Sequence, residues 1–173
     1  ADPAALPGVA QLVAALLDQG TIRRSAQQIA EAIDHVGGVI ETGAAWDDSY
    51  ARLTILSDHK ELAFDLLADM VINPAFAPPE IERRRRQTLS ALEVLRDDPA
   101  HLADTVFQRV VLAGTPYGHP ADGTEESVRR ITAQDLREFR ELHYRPPNCI
   151  LAVVGDIDGG AAITLAEKFF GAW

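Results

Sequence analysis

The sequence predicts a mixed domain in which helices dominate and three strands contribute a sheet. Three observations carry this. Apolar residues recur at helical spacing in several separate stretches. One stretch alternates instead: Ala51, Leu53 and Ile55 stand between Tyr50, Arg52 and Thr54, as in a strand with one face buried. Prolines, glycines and capping residues fall at the ends of these stretches. At 173 residues the chain is one domain of ordinary size.

The first helix is predicted within Leu6 to Asp18. Pro7 suits its first turn, where the missing N–H has no partner anyway. Val9, Leu12, Val13, Leu16 and Leu17 form a core-facing stripe, and Gly20 suits a left-handed cap. Ser25 and Gln28 read as a capping box. It opens a helix from Ala26 to Val36, with Ile29, Ile33 and Val36 on one face, and Gly37-Gly38 stops it. Strands follow over Val39–Ala45 and Ser49–Leu56, around a turn at Trp46-Asp47-Asp48. Asp58 is expected to cap the next helix, which carries Leu62, Leu66 and Met70 and ends near Asn73-Pro74. Pro78-Pro79 opens a long helix to Arg96, and Asp98-Pro99 separates it from another over Ala100–Leu112. Gly114 to Pro120 is a loop rich in breakers. Thr124 begins a short helix, and Thr132 a longer one with Leu136, Phe139 and Leu142. After a turn at Arg145 to Asn148, the apolar run Ile150 to Val154 reads as a strand buried on both faces. Ala161 to Phe170 closes the chain as a helix.

Apolar residues make up 47% of the chain, and no apolar run approaches the roughly 20 residues of a membrane span. The formal net charge of −10 argues against nucleic acid, whose phosphates need a basic face. Arg83 to Arg86 lie among Glu80 and Glu82 and read as a solvated helix face. Cys149, beside a strand-like run and with no disulfide partner, reads as a buried, inert thiol. The histidines are scattered with no H-x-H or H-x-x-x-H pair, and His101 with Asp104 would supply only two ligands. Gly155-Asp156 with Gly159-Gly160 lacks the pattern of a phosphate loop.

The stretch Leu6 to Thr21 resembles the opening helix of the pitrilysin/insulinase family of metallopeptidases, with its inverted zinc motif H-x-x-E-H. Other motifs follow in the family's order. Gln19-Gly20-Thr21 with Arg24-Ser25 looks like its K-G-T and R-S. Gly37-Gly38 precedes its substrate strand. Pro116-Tyr117-Gly118, Gly123-Thr124 and Glu126-Ser127 resemble its H-P-Y-G-R-P…G-T-x-E-S loop. His143-Tyr144-Arg145-Pro146 with Asn148, then Val153 to Asp156, resembles its Y-x-P-x-N…V-V-G-D close. The resemblance covers essentially the whole chain. It implies an α+β fold, a mostly antiparallel sheet with helices packed on one face, as one clam-shell domain over residues 1–173. The family places strands before this helix, so the chain is expected to be a fragment lacking its first strands.

The family's chemistry is missing from these positions. Gln11 and Ala15 take the places of the two zinc-ligand histidines, and Ala14 that of the catalytic glutamate. Counting back from Asp97-Asp98-Pro99, Ala91 falls at the third, acidic ligand. Glu93 is the nearest acid, but two positions are about 200° round a helix. One amide oxygen on Gln11 does not hold Zn²⁺. After the paired glycines the family usually has Asn-Ala, where this chain has Glu41-Thr42. Glu41, Thr42 and Gly43 are the peptide-binding candidates, through backbone hydrogen bonds. The resemblance therefore implies a non-catalytic domain or subunit of a zinc metallopeptidase assembly, closing its chamber and helping to bind peptide. No cofactor is expected in this domain; zinc is expected in a related catalytic domain or subunit, paired with it as a dimer. The alternative is a structural scaffold, like the core subunits of the cytochrome bc complex. Relatives of this composition point to the bacterial periplasm or cell envelope.

Overall fold

The structure is a computed structural model, and it describes residues 2, 3 and 5–173. Its elements in order are α1 (Val9–Ala14), α2 (Ala26–Asp34), β1 (Val39–Ala44), β2 (Ser49–Thr54), α3 (Lys60–Ile72), α4 (Pro78–Leu95), α5 (Pro99–Val111), α6 (Glu125–Arg130), α7 (Ala133–His143) and α8 (Gly159–Phe170). The fold is α+β, as expected. Among the described residues the sheet is one antiparallel pair, β1 with β2, in register Val39↔Thr54 to Ala44↔Ser49.

The short helix α1 sits at the centre and packs on α7 and on both strands. Val9, Leu12, Val13 and Leu16 join Phe76, Ile81, Val128, Ile131, Leu136 and Phe139 in the larger core. Leu17 turns to a smaller cluster with Ile29 and Met70, closed by Ile40 and Ala51 from the sheet. The alternation along the strands sets this up. Ile40, Thr42 and Ala44 face inward opposite Leu53, Ala51 and Ser49, while Glu41 and Arg52 form an ion pair at 3.6 Å on the outer face. Two of the caps fall where the sequence places them. Ser25 and Gln28 bond reciprocally at the start of α2, and Thr132 and Asp135 do so at the start of α7.

Several expectations need correction. Ile150–Val154 forms no strand. Ile150 and Val154 are each 96% exposed, and no main-chain hydrogen bond reaches the run among the described residues. A strand needs a second backbone edge within reach. Among the described residues β2 pairs only with β1, and a cleft of about 440 Å³ separates its far side, Leu53 to Ser57, from this run. Cys149, next to it, is exposed rather than buried. Asp58 caps nothing; it lies inside a 3-10 turn, Ser57–His59, that precedes α3. The arginine run is only partly a solvated face. Arg83 pairs with Glu80, but Arg85 is nearly covered and donates to the carbonyls of Val128 and Ile131 at the end of α6. Those carbonyls have no helical partner, which a charge run on its own does not reveal.

Candidate functional site

The site begins with two glycines. Gly8 (φ 90) and Gly123 (φ 79) sit where two backbones cross. A Cβ on Gly8 would lie 2.8 Å from the Asp122 carbonyl oxygen, and one on Gly123 2.5 Å from that of Pro7. Only glycine fits both the left-handed backbone and the approach. The crossing carries Asp122 onto the exposed side of α1, beside Gln11. Asp2 accepts from the N–H groups of Gly8 (2.6 Å) and Ala10 (2.9 Å), satisfying two donors at the start of α1.

Gln11 then uses both ends of its amide. Its Nε2 donates to Asp122 Oδ1 at 3.1 Å, and its Oε1 accepts from the Ala44 N–H at 2.9 Å. The partners fix its orientation, because a carboxylate only accepts and a backbone N–H only donates. One side chain thus ties together α1, the end of β1 and the loop before α6. A cleft of about 180 Å³ opens beside it, lined among others by Ala44, Trp46, His119, His143 and Tyr144. Trp46, at the tip of the β1–β2 turn, meets the Tyr117 ring edge-on at 5.7 Å and the His119 ring at 5.5 Å. Tyr117 also donates to Asp47 at 2.8 Å, a bond that holds its phenol proton and raises its pKa. Burial holds the His143 imidazole below its ordinary range and pushes the Tyr144 phenol up.

The other positions in the zinc frame lie apart from this arrangement. Ala14 and Ala15 are buried, at 0% and 7% exposure, whereas Ala91 and Glu93 are exposed on α4. Among the described residues no three His, Cys, Asp or Glu side chains come together as metal ligands. With alanines at two of the positions where the resemblance puts ligands, and the Gln11 amide already bonded, these residues do not fit a zinc ion.

Hairpin parity sorts the three peptide-binding candidates. The Ala45 N–H donates to the Asp48 carbonyl at 2.7 Å across the turn. In an antiparallel ladder bonded and non-bonded pairs alternate. Glu41 and Gly43 therefore turn their main-chain groups toward β2. Of the three, only Thr42 turns its own to the free edge of β1, in line with Ile40 and Ala44. Gly43 has a different task. The Tyr50 ring lies over it, so a Cβ there would meet the hydroxyl at 2.7 Å.

The profile described as Insulinase (Peptidase family M16) matches residues 1–124, and that described as Peptidase M16 inactive domain matches residues 130–173. The chain belongs to the insulinase family of peptidases, M16. A curated relative, an uncharacterised zinc protease of Mycobacterium leprae, is 33% identical over 168 residues, which are 97% of this chain and 38% of that protein. The chain thus spans about two fifths of the length of such relatives. The crystal structure of a peptidase M16 inactive domain from Pseudomonas fluorescens superposes with a TM-score of 0.89 at 31% identity, covering 96% of this chain and 41% of that one. The periplasmic protease PqqL of Escherichia coli shares the fold, with a TM-score of 0.86 at 19% identity over 98% of this chain and 19% of its own. Among the described residues no helix is long and apolar enough to cross a membrane.

Nothing in the sequence marks Trp46, His119, Asp122 or Tyr144 as site residues. A tryptophan at a hairpin tip and a glycine after an aspartate were the only signals available, and neither names a partner.

Proposed function

We propose that this chain is a non-catalytic domain or subunit of a zinc metallopeptidase assembly, where it closes the chamber and offers a strand edge to peptide. The observation that carries this is the fate of the zinc frame. Gln11 spends its amide on Asp122 and Ala44, the next ligand position and the base position are buried alanines, and the third ligand position is an exposed alanine. A zinc peptidase needs three protein ligands around the metal and a general base on its water. The match of residues 130–173 to an inactive-domain profile supports the same reading. So does the open edge of β1, because a sheet edge binds extended peptide through main-chain bonds.

A related domain that bears zinc is the partner this reading requires. Apolar surface left open on the chain supports association: Leu102, Val106, Phe107 and Val110 line one side of α5, and Ile150 and Val154 stand exposed beside the larger cleft. The test is hydrolysis of an unfolded protein such as reduced, carboxymethylated lactalbumin. The full-length protein with Glu93→Gln, the acid nearest the third ligand position, should cleave it at the parent's rate, because that residue does not serve the chemistry. A loss of rate of tenfold or more, with the fold intact, would overturn the proposal.

A further inference from the structure

We infer that Gln11 closes the free edge of β1 at Ala44, so that a peptide strand laid on that edge pairs with Ile40 and Thr42 and goes no further. The inference rests on the peptide-binding reading above and adds the residue that sets the register.

The ladder parity that follows from the Ala45–Asp48 bond leaves Ile40, Thr42 and Ala44 with outward main-chain groups. Along such an edge a docking strand finds one bonding residue in every two. At Ile40 and Thr42 those groups have no other partner among the described residues. At Ala44 the N–H is already given to Gln11 Oε1 at 2.9 Å. The Gln11 side chain cannot swing away without cost, because Asp122 holds its other end at 3.1 Å and the glycine crossing fixes Asp122. Beyond Ala44 the turn carries Trp46, packed against Tyr117 and His119. The edge therefore ends where the Gln11 side chain covers it. A side chain in the place of a zinc ligand has become the end-stop of a strand.

The test is hydrogen exchange at single-residue resolution, by mass spectrometry with electron-transfer fragmentation, on the full-length protein. The probe is an alternating Thr-Val octapeptide with a lysine at each end. In the parent protein saturating peptide should slow the Ile40 and Thr42 amides at least about tenfold and leave Ala44 unchanged. In Gln11→Leu the Ala44 amide should exchange about tenfold faster without peptide, the loss of one hydrogen bond, and peptide should then slow it too. Gln11→Ala repeats the test if the first variant folds poorly. Peptide protection of Ala44 in the parent equal to that of Thr42 would overturn the inference and leave the peptide reading intact. So would variants in which Ala44 behaves as in the parent. No protection of Ile40 or Thr42 in any of these proteins would overturn the peptide reading, and the end-stop with it.

Discussion

Leu16→Ala and Ala15→Gln, neighbours on the α1 segment, test how the vestigial helix is used. Leu16 is 1% exposed and packs in the larger core. Truncation removes three carbon groups at about 0.8 kcal/mol each and leaves a cavity, so the loss falls in the range of about 2–5 kcal/mol. For a domain of this size each kcal/mol lowers Tm by about 2–4 °C, and a loss of about 3 kcal/mol therefore lowers it by about 6–12 °C. From the frame alone, Ala15 facing a peptide chamber would accept glutamine cheaply. In the structure Ala15 does not face open space, since it is 7% exposed. Glutamine there overpacks its neighbours at about 1–3 kcal/mol and buries an amide at about 1–3 kcal/mol if unpaired. The two variants should therefore lose stability to a similar extent. Urea unfolding followed by far-UV circular dichroism, with m held common, gives both values. A cost below about 0.5 kcal/mol for Ala15→Gln would refute the burial argument and return this position to the chamber.

Arg85→Met should cost about 2–3 kcal/mol, because it strips the carbonyls of Val128 and Ile131 of a charged donor; Arg85→Lys, lacking the fork, should recover only part of this in the same urea experiment. The His143 imidazole should titrate in the folded protein with a midpoint below its ordinary value of 6.5, by NMR, since burial disfavours its charged form. The unfolded chain then takes the proton first, so stability falls as pH drops below about 6.5 and levels only once the folded imidazole is also charged. His143→Gln should flatten that part of the stability profile, and an unchanged slope would refute the assignment.

The hairpin was legible in the sequence because both its signals are local. Tyr50 to Ile55 alternate, and the turn residues lie between two such runs. The caps at Ser25 and Thr132 were legible for the same reason, since each partner is three residues away. Ile150–Val154 misled because an apolar run states a wish for burial but not whether an edge is present to pair with. Arg85 misled because a charge run is read against its own helix, while its acceptors lie more than forty residues away. The candidate site divides along the same line. The placing of Gln11, Ala14 and Ala15 in the zinc frame is what the family resemblance of the sequence around them implies. That Gln11 bonds Asp122, 111 positions away, and Ala44, 33 away, is a product of the glycine crossing and of strand parity. Ala91 and Glu93 stand two positions apart, about 200° round a helix, and both lie exposed on α4.

Zinc content is the most direct measure of whether the frame is vestigial. Plasma mass spectrometry on the full-length protein, dialysed against a weak chelator, gives zinc atoms per chain for the parent and for Gln11→Ala with Glu93→Gln. The account predicts the same stoichiometry in both, with any zinc held outside residues 1–173. A loss of about one zinc per chain in the variant would show that these positions still bind the metal, and would contradict it.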